Sequence, residues 1–406
     1  MSARKWATQW SARIPQVSLS EDRKLAIRES IRDHKQNDQP PLEGERLDRD
    51  DIIWLLESHE VRNSRREGEG GVDLRGSNLS WLDLSYLDLS LASCDDSFMP
   101  QADFTGSNLL MAAFIKSTLS GSTFAQCLAW GADFRHAHAH SVHFKTANLT
   151  NANFVGANLT GSNFAGANLS EARFDSRSVL TEVSLGDGVD EFVWLHNVQW
   201  GGANLSVVDW TGLTMTGEEY EARNTKDDTA PDAYVRAIRT TRQLSMALRT
   251  QGLSEEADYF AYRSHVLRRI SLHRARLSAR TSRVRGMGRE VRRASSWLVS
   301  WFLWLVVGYG YRPVRALCVY FAVLVGFVIL YLNVGQTPGD HLSWVGAAVL
   351  SVSSFHGRGF FPGLAVRNNY LALSDPRIVL AAVEAMIGLF VEISFIAAFT
   401  QRFLGR

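Results

Sequence analysis

With 406 residues and 46% hydrophobic side chains the chain has material for two or three domains, and the apolar part is concentrated at its C-terminal end. The formal net charge of +1 conceals strong segregation along the chain, and residues 1–16 lack the apolar core of a secretory leader, so everything before the first apolar span is expected on the cytoplasmic side. Cys94, Cys127 and Cys318 have no metal-ligand spacing and read as packing residues in a reducing compartment; with no nucleophile–base pair, phosphate loop or metal cluster either, an enzyme, a cofactor and a metal site are not expected.

Residues 1–46 form a polar N-terminal segment, with 37–41 as a linker and no interpretable motif. Residues 47–71 hold a short amphipathic helix over 48–58 that starts on acidic residues and has Ile52, Ile53, Leu55 and Leu56 to bury, followed by a glycine-rich, charged joint. The helix is expected to cap the neighbouring domain on its C-terminal side, because an uncovered stack of strands leaves unpaired edges.

From Leu74 to Phe174 a Leu or Phe recurs at almost every fifth position, as in Leu149, Phe154, Leu159, Phe164 and Leu169. Two residues before each centre stands a small side chain, as in Ala147, Ala152, Ala157, Ser162 and Ala167, and Asn or Asp often precedes the centre directly. The pattern resembles the pentapeptide-repeat family, which implies a right-handed quadrilateral β-helix over residues 72–217. Side chains from four sides then meet on one axis, and large centres must alternate with small partners to fill it. Twenty residues make a turn, giving a rod of roughly 25 Å at strand spacing. Residues 175–190 are expected to break the register by one residue, and 193–217 to resume it on Leu195, Trp200, Leu205, Trp210 and Met215. His136, His138, His140 and His143 fall on outward positions of adjacent sides and read as solvated surface rather than as metal ligands. Residues 70–217 carry fourteen acids and six bases. Some members of the family mimic DNA with an acidic rod, but here Asn, Ser, Thr and Gly dilute the acids, so a merely soluble rod is the reading.

Residues 218–293 turn helical and basic. Two helical arms around a Gly252 stop and a Ser254 restart suggest a hairpin similar to one tetratricopeptide unit, with Tyr234, Ile238 and Leu244 facing Ala257, Phe260 and Val266. Residues 263–293 hold eleven arginines and one acid. Placement next to a membrane favours anionic headgroups over nucleic acid as their partner, with Arg283, Arg285, Arg289, Arg292, Arg293, Arg312 and Arg315 as the surface cluster and no direct nucleic-acid contact expected. Residues 294–311 read as an interfacial helix with Trp297, Trp301 and Trp304 at helical spacing, and Gly308-Tyr309-Gly310 as the turn that enters the next span.

Residues 312–406 read as a two-span pore domain: 316–334 is an uncharged apolar run long enough to cross a bilayer, and 378–399 is equally apolar except for Glu384 and Glu392. Between them 342–354 is too short to cross and is followed by the strip Phe355-His356-Gly357-Arg358-Gly359-Phe360-Phe361. This order resembles the pore of the potassium-channel superfamily, which implies a re-entrant pore helix, a homotetramer and permeating ions. Gly357 and Gly359 keep the glycine alternation that lets carbonyls turn to the path, whereas Phe355, His356 and Arg358 depart from the family strip, so potassium selectivity does not carry over. Gly388 and Glu392 share a helix stripe and are read as pore-lining with 355–359. Glu384 and Trp344 are read as filter support, with Arg358 proposed as the ion-pair partner of Glu384. The expected protein is a multi-pass inner-membrane channel with both termini cytoplasmic, its rod open to a cytoplasmic ligand or protein of unknown identity. A second reading is a membrane-anchored rod that captures a basic or DNA-binding partner without conduction; charge at membrane depth speaks against a mere anchor.

Overall fold

Coils that hydrogen-bond to one another must place each side chain above its counterpart one turn earlier, and this rule builds the first unit, Met1–Leu267. A computed structural model describes residues 19–37, 39–58, 70–186, 192–225, 230–281, 287–310, 313–334, 343–357, 365–366, 369–370 and 376–403. Isolated parallel bridges join residues twenty apart, from Asp73↔Ser93 to Asn153↔Arg173, one on each five-residue side. Phe114, Phe134, Phe154 and Phe174 stack in one column, with ring centroids 5.0, 5.0 and 5.3 Å apart. Phe104, Phe124, Phe144 and Phe164 form another, at 4.6, 5.2 and 4.8 Å. These spacings track the roughly 4.8 Å between neighbouring strands, so the backbone sets the stacking. The columns meet edge to face, as at Phe124 and Phe134, which fills the axis.

The small residues have a polar task as well. Ser97, Ser107, Ser122 and Ser162 are buried and donate to the carbonyls of Leu74, Leu84, Met99 and Ala139 in the preceding coil at 2.6–2.8 Å. At the corners one residue takes a positive φ, for example Trp81 at 63° and Asn151 at 59°. Glycine is needed at Gly106, where φ is 65° and a Cβ would fall 2.6 Å from the ring of Tyr86 in the coil before.

The one-residue break expected over 175–190 falls at the start of that stretch. Asn158 pairs with Val179 and Asn163 with Ser184, each twenty-one residues on, and Leu180 and Leu185 are buried as centres. One inserted residue is absorbed at a corner; the larger insertion comes only before Trp194, which pairs with Asn168.

Both ends of the stack are covered. Helices α1 (Glu21–Gln36) and α2 (Arg49–Ser58) bury Ile27, Ile31, Ile52 and Ile53 in the same core as Leu74. The N-terminal segment, read from sequence as without a motif, therefore contributes a helix. Its charge-rich face hides only Ile27 and Ile31 at helical spacing, too little to recognise without the coil they cover. Asp48 and Asp51 cap α2 reciprocally, each carboxylate accepting the other's backbone N–H at 2.8 and 3.0 Å. Fully buried Asp51 is also paired with Arg23 at 2.6 Å.

At the other end lie a 3₁₀ turn (Leu205–Val207) and helices α3 (Gly217–Asn224), α4 (Ala230–Thr250) and α5 (Ser254–Thr281). Their side chains replace the missing next coil. The Gln251 amide accepts from Leu205 N–H and donates to the Ala203 carbonyl, both at 2.7 Å, and Glu218 Oε1 accepts from Leu195 N–H at 2.8 Å. In the hairpin Tyr234, Leu244, Ala257 and Phe260 are buried as expected, but Ala237, Leu248 and Leu267 take the inward places assigned to Ile238 and Val266. Arg263 leaves the basic cluster: it is bound to buried Glu219 at 2.7 and 2.8 Å, with Arg223 beside it at 2.6 Å.

The second unit, Arg268–Arg406, contains α6 (Met287–Val307), a 3₁₀ turn (Gly308–Gly310), α7 (Pro313–Asn333), α8 (Trp344–Phe355), the antiparallel pair β1 (Ala365–Val366) and β2 (Asn369–Tyr370), and α9 (Pro376–Phe403). α7 and α9 each contain a stretch long and apolar enough to cross a membrane, Val314–Asn333 and Pro376–Ala397. α6 begins earlier than the interfacial helix expected over 294–311, but its apolar part, Ser295–Val306, covers only about 18 Å as helix.

Phe134→Ala is expected to lower stability by about 3–5 kcal/mol, since it opens a cavity in both columns, while His138→Ala on the exposed surface should stay within about 0.5 kcal/mol. Chemical unfolding followed by circular dichroism measures both, and equal losses would contradict the stacking. Glu218 gives a pH test. Burial holds its carboxyl above the ordinary value of 4.5, and Oε2 has no partner among the described residues. The folded state therefore keeps a proton that the unfolded state releases above about pH 4.5, and stability falls as pH rises through that window. Glu218→Gln should flatten this fall and raise the melting temperature at pH 7; a lower melting temperature at pH 7 would show that the charged carboxylate is the favoured form.

Candidate functional site

Helix α8 is short and apolar but carries Ser351, Ser353 and Ser354, and its N-terminus is capped by Ser343, whose Oγ accepts from Gly346 N–H at 3.1 Å. It packs on both α7 and α9. The helices come close at Gly388 of α9, where a Cβ would fall 2.2 Å from the carbonyl oxygen of Phe355. Only glycine lets the end of α8 come so near.

Two carboxylates of α9 meet this short helix. Glu384 is fully buried, accepting from Tyr331 Oη of α7 at 2.8 Å on one oxygen and from Ser351 Oγ of α8 at 2.5 Å on the other. One acid thus ties three helices together, and both of its oxygens are satisfied by hydroxyl donors. Glu392 lies two turns further along α9 and pairs with His356 Nδ1; the other ring nitrogen, Nε2, is 3.1 Å from Tyr320 Oη of α7. His356 is the C-cap of α8, where the helix dipole favours a cation, and imidazole and carboxylate are both partly open to solvent. The arrangement holds a titratable pair at the mouth of a short helix, followed by Gly357 at φ 69° with open space around its Cα.

Several expected roles are revised by this geometry. Phe355 does not open the strip: it ends α8, is buried and packs edge-on against Tyr320 at 4.8 Å. Gly388, read as pore-lining, packs against Phe355. Trp344, read as filter support, is 72% exposed at the first turn of α8. Glu384 finds Tyr331 and Ser351; its proposed partner Arg358 lies outside the described residues, as do Gly359, Arg283, Arg285 and Arg312. Arg289, Arg292 and Arg293 fall in α6, and Arg315 sits in the first turn of α7. Tyr320, Tyr331 and Ser351 were not singled out from sequence. An acid in an apolar run signals that hydroxyl partners must exist, but not which of the nearby ones face it.

On the coil stack His136, His138 and His143 are exposed, and among the described residues no three His, Cys, Asp or Glu side chains gather as a metal site would require.

Comparison with known proteins bears on the stack. The family model described as a pentapeptide repeat region matches residues 97–174. Among solved structures the chain is similar to a pentapeptide repeat protein from the thylakoid lumen of Arabidopsis thaliana (34% identity over 24% of this chain and 69% of that one, TM-score 0.24). It is also similar to the pentapeptide repeat protein Rfr23 from the cyanobacterium Cyanothece (28% identity, 23% and 63%, TM-score 0.16). A third is HetL from the cyanobacterium Nostoc, described as involved in heterocyst differentiation regulation (18% identity, 34% and 85%, TM-score 0.13). Comparison with curated proteins finds no match. The family model ends before the α8–α9 residues, and the residues it matches are among those bridged at twenty-residue spacing; by its repeat region the chain belongs to the pentapeptide-repeat proteins.

Proposed function

We propose that the chain is a membrane protein in which a pentapeptide-repeat rod, read as a right-handed quadrilateral β-helix, serves as a cytoplasmic binding or sensing surface for a two-span ion pore of potassium-channel-like plan. The observation that carries this reading is the docking of α8 between two helices of membrane-crossing length, through buried Glu384 and the Gly388–Phe355 approach. A simple anchor has no use for a buried acid or a half-crossing helix. Support also comes from the outer faces of α7 and α9, where Phe321, Val325, Ile329, Phe390 and Ile393 are more than half exposed, as lipid contact requires.

In this reading four copies surround a path, the His356–Glu392 pairs ring it, and the favoured ions are cations. Tyr331 and Ser351 hold Glu384 and so fix the tilt of α8. Current across a planar bilayer holding the purified protein, under asymmetric salt, tests the proposal. A protein that inserts but passes no current supports the anchored binding rod instead.

The same recording tests the ring. Glu392→Gln is expected to lower cation conductance severalfold, and Glu392→Lys to lower it further or move the reversal potential toward the anion value. Unchanged conductance and reversal potential in both variants would remove Glu392 from the path.

A further inference from the structure

Arg269, Trp304 and Arg315 come from α5, α6 and α7 and meet at one point of the second unit. The turn Gly308–Gly310, with Tyr309 at φ 59° and its hydroxyl 2.8 Å from Ser300 Oγ, brings the end of α6 back against the start of α7. The last part of α5 also runs along α6, where His273 stacks on Trp297 at 5.9 Å. The guanidinium carbon of Arg269 thereby lies 4.1 Å, and that of Arg315 4.3 Å, from the centroid of the same indole ring.

Cation–π attraction favours each contact singly, yet it brings two like charges together on one ring. Arginine cannot relieve that repulsion by losing its proton. Among the described residues no carboxylate pairs with either guanidinium. An anion with several acceptor oxygens would bind both planar forks and cancel the repulsion, and phosphate has that form. The surroundings say what the phosphate carries. Leu298 and Val299 on α6, and Val314 and Leu317 on α7, are 46–72% exposed apolar side chains within two turns of the site. Free phosphate gains nothing from them, whereas acyl chains do.

We infer that Arg269, Trp304 and Arg315 form a binding site for the phosphate of an anionic phospholipid, with its acyl chains along the exposed apolar faces of α6 and α7. The inference rests on the membrane reading of α7 but not on ion conduction. A zwitterionic lipid is disfavoured because its ammonium group would sit beside two guanidinium ions.

The test is native mass spectrometry of the full-length chain in neutral detergent, titrated with phosphatidylglycerol, phosphatidylcholine or inorganic phosphate. Phosphatidylglycerol is expected to be retained at about tenfold lower concentration than phosphatidylcholine, and not to be displaced by millimolar phosphate. Arg269→Gln with Arg315→Gln should abolish this preference, while Arg242→Gln, an exposed arginine of α4, should leave it. Should the double variant melt out of the native state, Arg315→Lys keeps the charge, loses the planar fork and is expected to weaken phosphatidylglycerol retention in a folded protein. A preference that survives Arg315→Lys and the double variant, or equal retention of both lipids, overturns the site. Displacement of phosphatidylglycerol by inorganic phosphate overturns the lipid assignment in favour of a free-phosphate site. A chain that stays in solution without detergent and binds neither lipid overturns the membrane reading and this site with it, whereas absence of current alone touches only the pore.

Discussion

Hydrogen bonding between coils a strand's separation apart is the constraint on which the first unit depends. As far as Phe174 it forces each inward residue to lie on the one twenty positions earlier, so a phenylalanine that fits one coil must fit its neighbours. The two phenylalanine columns, the serines donating to carbonyls of the coil before, and the glycine above Tyr86 all derive from it. Such a stack has two open ends by construction, each with a row of unpaired backbone groups. α1 and α2 cover one end with apolar side chains, and Gln251 and Glu218 satisfy the other with hydrogen bonds.

In the second unit the constraint is a buried carboxylate. Glu384 is buried among apolar helices, a placement that is unfavourable unless every lone pair finds a donor. Tyr331 and Ser351 supply the donors from two different helices, so the acid acts as a three-way joint. A helix as short as α8 cannot hold its place by apolar contact alone when both neighbours also face outward, and the joint together with Gly388 fixes it. Glu392, two turns away, is only partly buried and pairs with His356, which leaves its charge open to the surroundings. Two acids eight residues apart on one helix thus take different tasks, set by what stands opposite each.

Arginine is divided in the same way. Arg263 and Arg223 neutralise buried Glu219 and belong to the packing of the helical cap. Arg269 and Arg315 rest on one indole, and among the described residues no carboxylate pairs with either. A run of basic residues in sequence therefore holds two populations, distinguished by whether a facing helix offers a carboxylate.

What the sequence determined by itself was whatever repeats or persists: the five-residue period, its large and small positions, and two apolar runs of membrane-crossing length. Each residue in such a pattern has the same neighbours as its counterparts, so local spacing already encodes the contact. The exposed placement of the repeat histidines and the helix over 49–58 were legible for that reason. Only the tertiary structure decided the contacts made once: that Ile27 and Ile31 cover the first coil, that Arg263 finds Glu219, that Glu384 finds Tyr331 and Ser351, and that Phe355 ends a helix against Gly388. The physical reason is that these partners lie 33 to 53 residues apart within the second unit and 44 apart in the cap, so no periodicity links them, and only helix packing chooses among the hydroxyls and arginines within reach.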